Sequence, residues 1–102
     1  MSEEVICLHA RARIAEIFGL AIEEIRPDMN FASDFQSARV SDFLRSEFDQ
    51  LNDDIRDVAN RKITTEINSG ALVINTIADY CNHMVRCYYV NPKEVVNLLG
   101  LR

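Results

Sequence analysis

Four serines lie within residues 30 to 49, a stretch with the sequence NFASDFQSARVSDFLRSEFD. They are Ser33, Ser37, Ser41 and Ser46. They surround a predicted helix start, which raises the question whether one of them carries a cofactor. Serine is also a preferred N-cap in any helix. The stretch therefore allows two interpretations, an attachment site or a set of caps and surface residues.

The other residues that could do chemistry form no recognisable site. Cys7, Cys81 and Cys87 include no C-x-x-C pair and leave one thiol over in any disulfide scheme, so we expect buried free thiols in a reducing compartment. His9 and His83 have no carboxylate or cysteine at ligand spacing, whereas a metal site needs three or four converging ligands. The sequence also has neither a glycine-rich phosphate loop nor a nucleophile elbow. We therefore expect no metal, no catalytic residue and no enzyme.

The composition limits the possible classes of protein. With 102 residues, the chain can form one domain with a modest core. Its 48% hydrophobic and 26% charged residues are typical of a globular protein, and the net charge of −5 argues against a nucleic-acid partner. No apolar run approaches the length of about 20 residues that crosses a membrane. The start, MSEEVICLHARAR, is acidic and then amphipathic, unlike a secretory signal, so we expect a cytoplasmic protein.

Helical periodicity dominates the first half of the chain. Val5, Leu8, Ile14, Ile17 and Phe18 recur at spacings typical of an amphipathic helix, which the following glycine should end. The stretch LAIEEIRPDMNF contains a proline and is predicted to be an ordered loop. A second helix is predicted from residue 37 to about residue 48.

The second half also predicts helices. DQLNDDIRDVANRK should form a short helix after a turn, and ITTEINSG a loop. A further helix should span Leu72 to about Arg86, and Asn91-Pro92 should cap a last short helix that Gly100 ends. No hairpin signal occurs, although GALVIN alone could form a buried strand. These patterns predict an all-α fold of three main helices plus short ones. The expected shared core is Phe18, Ile25, Phe31, Phe43, Phe48 and Ile77.

These elements and their motifs resemble the acyl carrier protein family. A first helix ends in EIFGL, IEEIRPDMNF follows, a serine-started helix ends in EFD, and KITT and TIADYCNHM come later. The resemblance covers roughly residues 5 to 86 and is specific in the first loop and in SEFD. It implies an acyl-carrier-protein-like helical bundle over residues 1–87. Residues 88–102 would then be a C-terminal extension with a short helix.

The resemblance also implies a site for 4′-phosphopantetheine. Asp34 matches the aspartate before the family's Leu-Gly, and Ser37 is the serine that then matches the attachment position, with Ser41 as the alternative. Gln36 and Ala38 stand where the family has Asp and Leu around that serine, and the family's glycine is missing. A carrier of this kind holds an acyl intermediate as a thioester and catalyses nothing itself.

The implied partners are a phosphopantetheinyl transferase and the acyl-transfer or synthase enzymes of fatty acid or polyketide biosynthesis. In the family, an acidic second helix meets basic patches on such enzymes, which here assigns partner binding to Asp42, Glu47 and Asp49. The alternative is a protein with the carrier fold that has no prosthetic group and acts as a protein–protein interaction module. The apolar tail, YYVNPKEVVNLLGLR, should pack back on the bundle or against a second copy, giving a monomer or a weak homodimer.

Overall fold

The described part of the chain is helical. A computed structural model describes the backbone of residues 2–34 and 41–100, and the side chains of this part except at residues 32, 33 and 41–46. In chain order the helices are α1 (Glu3–Phe18), α2 (Phe31–Asp34), α3 (Ser41–Asp57), α4 (Arg61–Ser69), α5 (Ile77–Val90) and α6 (Pro92–Leu99), with a 3₁₀ turn at Ile22–Glu24. Among these residues there is no strand, only an isolated bridge between Asn30 and Thr76. The predicted all-α fold is thus confirmed for the described residues.

Helix α1 forms as predicted, and Ile14, Ile17 and Phe18 are buried as expected, but its first two turns bury a different face. The Ser2 side chain accepts a hydrogen bond from the Val5 amide, and Gly19 ends the helix in the left-handed conformation at φ 67°. Val5 and Leu8 were expected in the buried stripe, yet they are 38% and 49% exposed. The buried stripe is instead Ile6, Ala10, Ile14, Ala15, Ile17 and Phe18. In the first two turns, Ile6 and Ala10 therefore face the core in place of Val5 and Leu8.

Helix α3 is longer than predicted. It runs without a break through Asp57, so the separate short helix expected over DQLNDDIRDVANRK is wrong. Leu51, Ile55 and Val58 continue one buried stripe, and no proline or glycine interrupts the residues between 41 and 57. The predicted start of this helix, at residue 37, lies outside the described residues.

The segment ITTEINSG is part of helix α4, where the sequence predicted a loop. The Asn60 side chain caps α4 by accepting a hydrogen bond from the Ile63 amide, and Gly70 ends it in the left-handed conformation. Residues 71–76 form an irregular connection, so α5 begins at Ile77 and not at Leu72. At its start, Thr76 and Asp79 form a capping box.

The loop between α1 and α2 is docked on the start of α5. The backbone carbonyls of Pro27 and Met29 accept hydrogen bonds from the amides of Ala78 and Ile77, two donors that the first turn of a helix leaves unpaired. The amide of Phe31 donates to the Asn75 carbonyl at 2.8 Å. This loop therefore fixes where α2 lies relative to α5.

The core joins all of the longer helices. Four of the six predicted core residues, Phe18, Ile25, Phe31 and Ile77, are buried in one cluster, and Phe48 packs against it. The rings of Phe18 and Phe48 meet edge to face with centroids 5.5 Å apart. The side chain of Phe43, the sixth, lies outside the described residues.

The C-terminal helix packs back on the bundle. Val95 and Leu99 are buried, and α6 contacts both α1 and α5. Asn91 was expected to cap α6, but its side-chain amide instead donates to the Val58 carbonyl at 3.3 Å and makes no capping bond. Helix α5 continues to Val90, beyond the residue at which the extension was expected to begin. None of the described helices is both long and apolar enough to cross a bilayer.

Candidate functional site

The predicted attachment serine lies in the segment that joins α2 to α3. Ser37 belongs to residues 35–40, which lie outside the described residues, so its geometry is not assigned. Ser41, the alternative, is the first described residue of α3, although its side chain is also outside the described part. The segment is short, and α2 and α3 fix its two ends.

Asp34, which the resemblance places at the turn before the serine, makes a local bond. Its Oδ2 atom accepts a hydrogen bond of 2.6 Å from the Asn30 amide, the first amide of the turn that forms α2. The residue is exposed at the end of that helix. Asp34 therefore helps to define the backbone that leads into residues 35–40.

A largely apolar cleft lies beside these two helices. Its volume is about 350 Å³, within the range of small-molecule sites. Helices α2 and α3 and the α4–α5 connection supply its walls, which are Phe31, Phe48, Leu51, Asn52, Ile55, Ile74 and Asn75. The two asparagines are exposed, so they add polar groups where the cleft meets solvent. The cleft suits an apolar chain with a polar end.

The exposed face of α3 carries a line of carboxylates. Asp49, Asp53 and Asp57 are all exposed and recur every four residues, which places them on one stripe of the helix. Asp53 and Asp57 were expected in a separate helix from Asp49, so a continuous stripe was not predicted. Of the three predicted partner-binding residues, Asp49 is on this surface.

Glu47 is not on that surface, which corrects its assignment to partner binding. Its side chain is only 4% exposed, because this position of α3 faces the interior of the bundle. The side chain of Asp42, the third predicted residue, lies outside the described part. The acidic stripe of the described residues therefore consists of Asp49, Asp53 and Asp57.

A buried polar network positions α3 against α1 and α5. Both carboxylate oxygens of Asp54 accept hydrogen bonds from Arg13, at 2.8 and 3.1 Å, and Oδ2 also accepts one from the Tyr80 hydroxyl at 3.2 Å. The hydrogen bond to Asp54 raises the pKa of Arg13. Burial, followed by the charge of Asp54, raises the pKa of Tyr80. These charges hold the scaffold together and leave no acid–base pair open to a substrate.

Cys87 and His83 form a thiol–imidazole contact that is not suited to nucleophilic catalysis. The Cys87 Sγ atom lies 3.6 Å from His83 Nε2, which donates a 2.8 Å hydrogen bond to the Ile55 carbonyl. Cys87 has no exposed surface, and burial raises the pKa of its thiol to about 11. A cysteine that attacks a substrate needs access to it, and Cys87 has none. The pair is thus part of the core.

No described group of three or more His, Cys, Asp or Glu side chains has an arrangement that could hold a metal ion. No family model, curated protein or solved structure matches the chain. The resemblance to acyl carrier proteins therefore rests on the sequence motifs, and the case for function rests on those motifs together with the cleft and the acidic stripe.

Proposed function

We propose that this protein is a divergent acyl carrier with an acyl-carrier-protein-like bundle, which carries an acyl group on 4′-phosphopantetheine at Ser37. The observation that carries the proposal is the apolar cleft, because α2 and α3 both wall it and also flank the segment that contains Ser37. When attached, the prosthetic group supplies a thiol for the thioester. The chain's own task is to shelter the acyl group and to present it to partner enzymes.

The cleft walls suit the acyl part of such a group. Ile74 and Phe48, each partly buried, offer aliphatic and aromatic surface to the cleft. Phe31, Leu51 and Ile55 complete the lining, and each of these residues is only 4–7% exposed. Each methylene that leaves water for such surroundings contributes about 0.8 kcal/mol. Burial of a few methylenes therefore stabilises a sheltered acyl chain by only a few kcal/mol. Because this free energy is small, the chain can still leave the cleft for an enzyme.

The acidic stripe on α3 supports the presentation step. Like charges four residues apart destabilise a helix by roughly 0.2–0.5 kcal/mol per pair, and Asp49, Asp53 and Asp57 form two such pairs. A basic partner surface would offset that cost and would be steered to the same helix that walls the cleft. Carrier enzymes with basic docking patches are the partners that this arrangement favours.

The same stripe favours the alternative, a protein–protein interaction module without a prosthetic group. The stripe needs no modified serine to attract a basic surface. The residues around Ser37 also depart from the family motif, since Gln36 and Ala38 replace its Asp and Leu. The two functions differ in one property, the covalent modification of Ser37 or of the alternative, Ser41.

Mass spectrometry of the intact protein tests the proposal. The chain is co-expressed with a broad-specificity phosphopantetheinyl transferase, and we expect a gain of one phosphopantetheine in the wild type. Ser37→Ala should abolish the gain, whereas Ser41→Ala, the matched control four residues away, should retain it. Loss of the Ser37 hydroxyl costs about 1 kcal/mol even if it caps a helix, so circular dichroism should show a folded variant.

The outcomes separate the two functions. A gain that persists in Ser37→Ala and disappears in Ser41→Ala would move the attachment site to Ser41. No gain in the wild type with several transferases would exclude the carrier and favour the interaction module. The cleft and the acidic stripe would then be parts of a docking surface alone.

A further inference from the structure

Two cysteines from distant parts of the sequence meet where α1 packs on α5. The Cys81 thiol lies 3.7 Å from the backbone carbonyl oxygen of Cys7. Both cysteines are free, but Cys7 is half-buried while Cys81 is buried. One cysteine of the pair is therefore partly exposed to solvent, and the other is buried next to it.

Arg11, which forms no ion pair with the described carboxylates, lies beside the pair. Arg11 follows Cys7 by one helical turn, and its Nε atom is buried without a hydrogen-bond partner in the described part of the chain. Burial, followed by the neighbouring Cys7, raises the pKa of Cys81 to about 12, and the positive charge of Arg11 opposes this rise. A cation next to thiols favours the thiolate, which is the reactive form.

We propose that Cys7 and Cys81 are a reversible redox pair, in which Cys7 reacts with a peroxide and Cys81 then closes a disulfide between α1 and α5. The inference stands independently of the carrier function. It gives Arg11 a role as a positioning residue, whose charge opposes the rise in the pKa of the Cys81 thiol.

The chemistry balances in two steps. The Cys7 thiolate attacks one oxygen of hydrogen peroxide, the O–O bond breaks, and hydroxide leaves and takes up a proton as water, so that Cys7 becomes a sulfenic acid. The Cys81 thiol then gives up its proton, its sulfur attacks the Cys7 sulfur, and the S–O bond breaks to release a second water. Two thiols are oxidised to one disulfide, and one peroxide is reduced to two waters. A small-molecule thiol reverses the change by exchange.

The third cysteine provides a control within the same chain. Cys87 is completely buried against His83 in the core, away from the α1–α5 thiol pair. A disulfide between Cys7 and Cys81 would also close a large loop, because the two residues are 74 positions apart. Such a cross-link stabilises the fold mainly by restricting the unfolded chain.

The test treats the purified full-length chain with hydrogen peroxide under native conditions. Free thiols are then alkylated in denaturant, and the digest is analysed by mass spectrometry. We expect a peptide pair linked through Cys7 and Cys81, with Cys87 alkylated. The midpoint of thermal unfolding should rise by about 10 °C and return to its starting value after reduction.

Substitutions assign the roles. Cys81→Ala should leave Cys7 trapped as a sulfenic acid that reacts with dimedone, and Cys7→Ser should leave Cys81 reduced. Arg11→Gln should slow closure of the disulfide by Cys81 several-fold, while Arg26→Gln, which removes an exposed cation elsewhere, should not. Far-UV circular dichroism verifies that each variant is folded. A disulfide that involves Cys87, or oxidation of Cys7 to sulfinic acid in the wild type without any linked peptide, would overturn the proposal.

Discussion

Arg13 binds both carboxylate oxygens of Asp54 across 41 positions of sequence, and so joins α1 to the last turn of α3. Asp54 is 3% exposed, and the hydroxyl of the fully buried Tyr80 donates to the same carboxylate. A buried charge is tolerated when it is paired and its remaining lone pairs are satisfied, as they are here. The network fixes the register of three helices around one side chain.

Replacement of Asp54 by alanine should destabilise the protein by about 2–4 kcal/mol. The change removes the partner of Arg13 and leaves the Tyr80 hydroxyl buried without an acceptor. Unfolding in urea measures the difference. Asp53→Ala is the matched control. Asp53 is the exposed neighbour of Asp54, so its replacement should change the free energy of unfolding by no more than about 0.5 kcal/mol. Equal losses from the two variants would mean that the network adds no stability beyond helix propensity.

The sequence predicted the elements whose ends carry strong local signals. Helix α1 ends at Gly19 and α6 lies between Pro92 and Gly100, and each of these residues fixes a backbone conformation by itself. Helix α4 was missed because its isoleucines and threonines have only modest helix propensity. Asn60 caps its start and Gly70 ends it, and packing of Ile63 against the core stabilises the helix between them.

Most of the candidate site was not predictable, because its parts are distant in sequence. Phe31, Leu51 and Ile74 meet only after α2, α3 and the α4–α5 connection have packed together, and no local pattern indicates the cleft that they line. The burial of Asp54 was equally hidden, since its partner Arg13 lies on another helix. Ser37 could be named from the sequence as the candidate attachment residue, because a local motif indicates it without any knowledge of the packing.

The pH dependence of stability should report on His83. Burial lowers the pKa of this imidazole below its ordinary value. The hydrogen bond to the Ile55 carbonyl opposes this change, and the positive charge of Arg86 adds to it. The unfolded chain therefore binds a proton more readily than the folded chain. The contribution of neutral His83 is complete above about pH 6.5 and is lost as the pH falls through the lower folded-state pKa.

His83→Gln should remove this dependence. Glutamine can still donate to the Ile55 carbonyl, but it does not titrate, so the free energy of unfolding should vary less between about pH 7.5 and pH 5 than it does in the wild type. Urea unfolding of both proteins at several pH values, at one ionic strength, gives the comparison. If the free energy of unfolding changed equally with pH in both proteins over this range, the pH dependence would have to come from other groups.

Helix α6 should be a stabilising part of the bundle. Val95→Ala removes two methyl groups from a completely buried position, so it should cost about 1–2 kcal/mol from lost burial and the cavity left behind. Asn97→Ala, on the exposed side of the same helix, should be close to neutral. Thermal unfolding distinguishes the pair, and a tail that does not pack on the bundle would make the two variants alike.

The last prediction concerns the cleft beside α3. Asn52 lines this cleft and is exposed, so Asn52→Trp should fill the space without removing any buried group. Asp53→Trp places the same ring one position along the helix and outside the cleft lining, which makes it the matched control. A fatty acyl probe with a polarity-sensitive fluorophore measures the occupancy of the cleft.

We expect Asn52→Trp to weaken binding of this probe by about tenfold or more, equivalent to about 1.4 kcal/mol, because the ring occupies the space that the acyl chain would fill. Asp53→Trp should bind the probe nearly as the wild type does. The measurement does not require a loaded prosthetic group, so it tests the cleft separately from the modification of Ser37. Equal binding by all three proteins would place the probe elsewhere and remove the main structural support for an acyl carrier.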